Sequence, residues 1–195
     1  MIEYLEQLDQ SWTVWINTSL YHPVVQYFMW VVSMRITWVP LYVFLFYVIT
    51  KTTGLKKASL FLVFVGITIG ITDLISVHLF KEVFLRYRPS HNLLISDQIK
   101  LFMTKSGPYK GGEYGFISSH AANFGALSLA LISIFKEKIS WITATILVVS
   151  FVVCLSRICL GVHYISDVVI GWVVGASISW LIFKYIYPSF ERKIS

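Results

Sequence analysis

The chain has 195 residues, of which 56% are apolar, 16% aromatic and 13% charged, with a formal net charge of +6. A soluble domain has roughly 25% charged residues, and one of this length cannot bury so much apolar surface. Low charge with many aromatic residues excludes a disordered chain, and the presence of only two cysteines excludes a disulfide-stapled secreted domain. The composition predicts an all-α, polytopic membrane helix bundle.

Residues 1–22 have the pattern of an amphipathic helix that lies in the membrane interface. Apolar residues recur at helical spacing, and Glu3, Glu6, Asp9 and Thr13 occupy other positions. The segment is not a signal peptide, because it has neither a basic start nor an uninterrupted apolar core. We therefore expect an interfacial helix ahead of the first membrane span.

Five later segments approach the roughly 20 mostly apolar residues that a membrane-spanning helix needs. They are residues 36–53, 58–80, 118–135, 139–159 and 163–187. Pro188 is expected to end the last one. Residues 21–35 could extend the first span, but Arg35 would then lie inside the membrane, so we expect a break near Ser33 with Arg35 at the membrane edge. Residues 36–187 would form the transmembrane core of a single domain, residues 1–195.

Basic residues in the short connections predict the orientation, because such residues collect on the cytoplasmic side. They follow the first, third and fifth spans and are Lys51, Lys56, Lys57, Lys136, Lys138, Lys184, Arg192 and Lys193. With five spans these residues share one side. The amino terminus and the loop 81–117 then lie on the opposite side of the cell (inner) membrane, which is periplasmic or extracellular.

Polar and charged residues gather at that outer side, at the ends of four spans. They are Lys81, Arg88, Ser118, Ser119, His120, Arg157, His163 and Asp167. Ionisable groups at a membrane are costly and therefore suggest function. Three cations can neutralise a phosphoryl group, the arginines through bidentate contacts. Ser118 or Ser119 is a suitable N-cap, and the free amides of that helix end would point at an anion. The pattern predicts a phosphate site.

Two histidines supply acid–base and nucleophilic chemistry to this predicted site. His163 and Asp167 are four residues apart, so a helix places them side by side. The carboxylate could fix the imidazole tautomer and leave the other nitrogen as a nucleophile. His120 is then available to protonate a leaving oxygen as a general acid.

Three blocks of the chain resemble the signatures of the type 2 phosphatidic acid phosphatase superfamily. Residues 81–89 look like its K-x6-R-P block, residues 117–120 resemble P-S-G-H, and residues 156–167 match S-R-x5-H-x3-D. The resemblance implies metal-independent hydrolysis of a lipid phosphate through a phosphohistidine on His163, with His120 as the acid. It also implies a phosphate cradle made by Lys81, Arg88, Ser118, Ser119 and Arg157.

The second block departs from the family pattern at two positions. Ile117 stands where the family has proline, and Ser119 where it has glycine. If the glycine position requires a positive φ, serine would be strained there. If only the backbone amide is used, serine serves as well, so we expect tuned geometry rather than lost activity.

Other polar and small residues have simpler expected roles. Arg86 is expected to contact lipid headgroups. For Asp73 we expect a buried hydrogen bond to a serine, a threonine or a neighbouring helix, with a proton or ion path as the alternative. Two glycine motifs, Gly66-x3-Gly70 and Gly171-x3-Gly175, are expected to allow close helix contact within the chain.

The sequence thus predicts an enzyme whose partners are the lipid bilayer and a lipid phosphate, with neither a cofactor nor a nucleic acid; the oligomeric state stays open. The family resemblance implies a lipid phosphate substrate, with undecaprenyl diphosphate as the expectation and lipid A or phosphatidylglycerol phosphate as the alternative. The rival from another class is a transporter that binds a lipid phosphate without cleaving it. Transporters tend to have repeated halves and a midplane site, whereas this cluster lies at one face.

Overall fold

A backbone inside a membrane must satisfy its own hydrogen bonds, which favours helices. The computed structural model describes residues 1–135 and 140–194, and this part of the chain contains seven helices. They are α1 (Ile2–Ser19), α2 (Pro23–Ser33), α3 (Arg35–Thr53), α4 (Leu55–Phe84), α5 (Ser119–Phe135), α6 (Ser140–Cys159) and α7 (Ile165–Ile194). The loop at residues 85–118, called the outer loop after the side predicted for it, contains a short antiparallel pair, β1 (Met103–Thr104) and β2 (Gly107–Pro108).

Four of these helices, α3, α4, α6 and α7, are long and apolar enough to cross a membrane. The bundle is therefore polytopic, as the composition predicts. Helix α5, the expected third of five spans, has only 17 residues, which rise about 26 Å. Five crossings, and the orientation derived from them, stay predictions. Lys136 and Lys138, which contribute to the orientation argument, lie outside the described residues.

Two of the long helices contain π-helical turns and continue past their expected ends. Helix α4 has such a turn at Ser76–Lys81, and α7 has one at Ile182–Ile186. The prediction that Pro188 ends the last helix is wrong, because α7 continues to Ile194. In a regular α-helix, proline clashes with the carbonyl four residues earlier. The wider π turn ends at Ile186, two residues before Pro188, and changes the alignment of that carbonyl with the ring, so the helix continues past the proline.

The break expected near Ser33 is confirmed. Helix α2 ends at Ser33, and Met34 has an extended backbone with φ −76° and ψ 132°. Arg35 is exposed and opens α3 in a 3₁₀ turn that ends at Trp38. A separate α2 packs against α6, which brings Ser33 into the interior of the protein.

Helix α1 forms as expected, but one row of its polar side chains, which includes Thr13 and Asn17, faces the protein, while Glu3 and Glu6 are exposed. Thr13 and Asn17 are fully buried, whereas Trp12 and Trp15 are more than half exposed, at 54% and 58%. Asn17 Nδ2 donates to the carbonyl of Cys159 at 2.7 Å. The polar row therefore holds α1 against the end of the bundle, while its aromatic side faces outward. Its place in the membrane interface stays a prediction.

Helices α5 and α7 have the most extensive contact of any helix pair in the described part of the chain. A Cβ built on Gly171 would lie 2.8 Å from the carbonyl oxygen of Ser118, and one on Gly175 would overlap the carbonyl of Ala122. The prediction of close packing within the chain is confirmed for this motif. It is wrong for the Gly66–Gly70 motif, where no described atom lies within 4 Å of either added Cβ.

Candidate active site

The structure brings all eight predicted site residues to one end of the bundle, where the outer loop meets the ends of α4, α5, α6 and α7. Direct contacts join several of them across elements. Lys81 Nζ donates to Ser119 Oγ at 2.6 Å, and the Ser118 amide donates to the carbonyl of Asp167 at 3.0 Å. The first contact joins α4 to α5, and the second joins the start of α5 to α7.

The start of α5 has the form expected of an anion-binding helix end. Ser118 is the N-cap, and its hydroxyl lies 3.5 Å from the Ala121 amide. The amides of Ser119 and His120 have no acceptor within the described residues, as is normal for a first helical turn. Ser119 lies in the regular helix and has no positive φ, so serine is not strained at the family's glycine position.

Arg88 is enclosed by the glycine-rich end of the outer loop. Its side chain is 9% exposed, and Nε donates to the carbonyl of Tyr114 at 3.1 Å. Gly111 has a φ of +69°, and a Cβ built there would lie 2.5 Å from Arg88 Nη1. Burial and the neighbouring Arg157 lower the pKa of Arg88 to about 10. The positive φ favours glycine at position 111, and the backbone there passes close to the guanidinium group.

Arg157 is the most deeply buried cation of the site, with an exposure of 2%. Its Nη1 donates to Ser33 Oγ at 2.8 Å, and its Nη2 donates to the Tyr109 hydroxyl at 3.2 Å. Its Nε is buried without an acceptor among the described residues. Ser33 and Tyr109 escaped the sequence analysis because only the docking of α2 and of the outer loop brings them here.

The two histidines lie close to these cations. His163 is 2% exposed, and its Nδ1 lies 3.5 Å from Asp167 Oδ2. Burial lowers the pKa of His163 well below the ordinary value of 6.5, and Arg88 and Arg157 lower it further. His120 interacts electrostatically with Arg157 and His163. The imidazole of His163 is consequently neutral at neutral pH.

Arg86 has a different position from the one expected. Its Nη1 donates to Asp167 Oδ1 at 2.7 Å, and its Nη2 donates to Asp9 Oδ2 at 2.9 Å. Burial acts to lower the pKa of Arg86, but the two carboxylates outweigh it and raise the pKa. The expected contact with lipid headgroups is wrong, because α1 brings Asp9 to this guanidinium group.

Three cations of the site have no carboxylate ion pair within the described residues. Lys81 donates to a hydroxyl, Arg88 to backbone carbonyls and Arg157 to two hydroxyls, while Asp167 is paired with Arg86. Buried charges are normally paired. The arrangement therefore suits a multiply charged anion such as a phosphoryl group.

Asp73 lies below this cluster on α4. Its carboxylate makes no hydrogen bond in the described part of the chain, so the expected buried hydrogen bond to a serine or threonine is wrong. It interacts electrostatically with Lys81 instead. No ion pair at contact distance joins Asp73 to Lys81 among the described residues, so Asp73 does not neutralise the ammonium group directly.

Comparisons with known proteins agree with this geometry. The PAP2 superfamily matches residues 58–191. The lipid A 4′-phosphatase of Porphyromonas gingivalis is 36% identical over 189 residues, which are 95% of this chain and 76% of that protein. The lipid A 4′-phosphatase of Bacteroides thetaiotaomicron is 30% identical over 184 residues, which are 94% of this chain and 79% of that protein.

Two crystal structures have a similar fold, each at 19% sequence identity. The PAP2-type phosphatidylglycerolphosphate phosphatase from Bacillus subtilis has a TM-score of 0.66 and 19% identity, and the match covers 98% of this chain and 88% of that one. Aquifex aeolicus LpxE has a TM-score of 0.60 and 19% identity, with 90% and 94% covered. Family membership favours hydrolysis over the transporter alternative. The chain belongs to the PAP2 superfamily and is a membrane lipid phosphate phosphatase, a phosphoric monoester hydrolase.

Proposed function

We propose that this enzyme removes a phosphate group from lipid A, and that the 4′-phosphate is its substrate. Relatives at 36% and 30% identity over nearly the whole chain are lipid A 4′-phosphatases. They favour lipid A over undecaprenyl diphosphate, the expectation from sequence. The observation that carries the phosphatase chemistry is the cluster of three cations, without carboxylate partners among the described residues, around the buried imidazole of His163.

Binding of the phosphate relies on fixed positive groups. The guanidinium groups of Arg88 and Arg157 and the ammonium group of Lys81 neutralise the phosphate oxygens, and the free amides at the start of α5 add hydrogen bonds. The buried, unpaired Nε of Arg157 supports this role. A bound anion would reduce the mutual repulsion of the three cations. This favours binding of an anion in the pocket.

Hydrolysis proceeds in two steps on the histidines. The Nε2 of His163 attacks phosphorus while the bond from phosphorus to the lipid oxygen breaks, and His120 gives its proton to that oxygen. Water then attacks the phosphohistidine, His120 takes up a proton from it, and inorganic phosphate leaves with His163 restored. Asp167, beside Nδ1 of His163, stabilises the positive charge that the ring carries in the intermediate.

Replacing His163 tests the nucleophile. We expect His163→Asn to abolish phosphate release and the formation of a labelled phosphoenzyme, because the amide cannot become phosphorylated. The matched control is His78→Asn, since His78 is exposed and paired with Glu82 at 2.9 Å, on the surface of α4. The control should retain wild-type turnover. Wild-type turnover in the His163 variant would instead contradict the assignment.

The pH dependence tests the charge state of His163. Burial and Arg88 hold the pKa of His163 well below 6.5, so the ring stays a free base as the pH falls from 8 to about 6.5. We expect kcat/KM to be insensitive to the state of this histidine over that range. Its acid limb should have a midpoint below about 6.5. A midpoint at or above this value would contradict a nucleophile surrounded by cations.

A panel of purified substrates tests the lipid. Detergent-purified enzyme in EDTA should release phosphate from lipid A, and more slowly from undecaprenyl diphosphate and phosphatidylglycerol phosphate. Activity should persist in EDTA because Lys81, Arg88 and Arg157 supply the positive charge that a metal would otherwise give. Faster release from undecaprenyl diphosphate would restore the expectation from sequence, and loss of activity in EDTA would require a metal.

A further inference from the structure

A chain of charged contacts leads from the amino-terminal helix to the proposed nucleophile. Asp9 Oδ2 accepts from Arg86 Nη2 at 2.9 Å, and Arg86 Nη1 donates to Asp167 Oδ1 at 2.7 Å. The other oxygen of Asp167 lies 3.5 Å from His163 Nδ1, which is buried and has no hydrogen bond among the described residues, so this last link is electrostatic. Asp9 also accepts from the amide of Ser166, at 3.1 Å, and from its hydroxyl. Helix α1 thereby contacts the first turn of α7, which carries Asp167.

These groups are largely shielded from water. The side-chain exposure is 12% for Asp9, 21% for Arg86 and 0% for Asp167. Arg86 also lies over the ring of Tyr164, 4.0 Å from its centroid. Charges at such sites are screened less than surface charges. A change in the charge of Asp9 or Arg86 therefore alters the electrostatic potential at Asp167 and at His163.

We propose that Asp9 and Arg86 are positioning residues of the active site, which hold the Asp167 carboxylate and set the negative charge that it presents to His163. The inference rests on the proposed role of His163 as the nucleophile. Arg86 lies inside the first signature block but is not one of its defining residues, and Asp9 lies outside all three blocks. Helix α1 is consequently a part of the catalytic apparatus and not only an anchor.

The three charged groups Asp9, Arg86 and Asp167 carry a net charge of −1. Because Asp9 neutralises Arg86, the negative charge of Asp167 acts on His163. If Asp9 loses its charge, Asp167 is the only carboxylate left to neutralise Arg86, and the electrostatic potential at His163 becomes more positive. If Arg86 loses its charge, that potential becomes more negative.

Ionisable groups from every neighbouring element contribute to the same field. They are Asp167 on α7, Arg157 on α6, His120 on α5, Lys81 on α4, Arg35 at the start of α3, Arg86, Arg88 and Tyr109 in the outer loop, and Asp9 on α1. The fixed cations dominate the electrostatic potential at His163. Removing one unit of charge at Asp9 or Arg86 therefore changes that potential but does not reverse its sign.

Two variants provide the test. They break the same ion pair, but one removes a negative charge and the other removes a positive charge. Asp9→Asn and Arg86→Gln both retain hydrogen-bonding groups. We expect Asp9→Asn to move the acid limb of kcat/KM to lower pH and Arg86→Gln to move it to higher pH, each by about half a unit. The double variant should return the midpoint close to that of the wild type. We expect kcat to fall about tenfold in Arg86→Gln, since Asp167 loses its tether.

A control separates this role from simple docking of α1. Thr13→Val removes a hydroxyl that accepts from the Ile165 amide at 3.4 Å on the same face of α1, without a change of charge, and it should leave the midpoint in place. Asp9→Glu and Arg86→Lys should retain it as well.

Each outcome has a separate meaning. Shifts of both single variants in the same direction, or unchanged profiles with wild-type kcat, would overturn the inference while leaving the proposed function intact. Turnover by the His163 variant would overturn the proposed function itself.

Discussion

The hydroxyl of Ser119 is one of the two departures of this phosphate site from the family pattern. Ser119 stands at the glycine of the P-S-G-H block, and its Oγ accepts from Lys81 Nζ at 2.6 Å. A hydrogen bond to a charged group contributes about 1.5–3 kcal/mol, enough to hold a flexible lysine in one direction. Ser119 therefore orients a cation that glycine would leave free.

Replacing Ser119 should weaken the site without unfolding it. We expect Ser119→Ala, and more so Ser119→Gly, to lower kcat/KM about three- to tenfold, because Lys81 loses its acceptor. The matched control is Ser133→Ala on the same helix, where the hydroxyl is exposed and bonds only to the Leu129 carbonyl. Steady-state kinetics on a lipid phosphate checks the expectation. Unchanged kinetics in Ser119→Ala would mean that Lys81 needs no tether.

At the scale of elements, the contact between α5 and α7 fixes the distances within the site. Gly171 packs against the backbone of Ser118, and the Ser118 amide donates to the carbonyl of Asp167 at 3.0 Å. The helix end that offers its amides to an anion is thus joined to the helix that carries the carboxylate. Any increase in the spacing of the two helices would separate the groups that must act together.

Two glycines on different helices test this spacing. Gly175→Ala should destabilise the protein by about 1–3 kcal/mol, because its Cβ overlaps the Ala122 carbonyl. Gly70→Ala is the control, since no described atom lies within 4 Å of its Cβ, and alanine favours a helix. Thermal unfolding in detergent should show a lower midpoint for the first variant only. Equal midpoints would show that α5 and α7 can separate at no cost.

Features that depend on neighbouring residues could be predicted from the sequence, whereas contacts between distant residues could not. The break at Ser33 was predictable because Arg35 would be costly within the membrane, and the helices follow from apolar length. The prediction at Pro188 is wrong because the π turn before it has no signature in the sequence. The Arg86–Asp9 pair joins residues 77 positions apart, and it depends on which face of α1 docks, which amphipathic spacing does not determine.

At the scale of the whole molecule, the candidate active site and a group of lysines lie at opposite ends of the bundle. Lys57 on α4 lies 3.7 Å from Glu191 on α7, so the start of α4 and the end of α7 share one end. The candidate active site lies at the other end, with α1 and the outer loop. Lys51, Lys56 and Lys184 also lie toward the first end, which supports a cytoplasmic location for it.

Labelling of introduced cysteines tests this orientation. One cysteine replaces Leu93 in the outer loop, a residue that is 92% exposed. The other replaces Lys56, which lies near the start of α4. We expect a membrane-impermeant maleimide to label the first variant in intact spheroplasts and the second only after permeabilisation. The wild type is the background control, because Cys154 and Cys159 are buried. The reverse pattern would place the active site on the cytoplasmic side. It would then require the lipid phosphate to be cleaved from the inner leaflet.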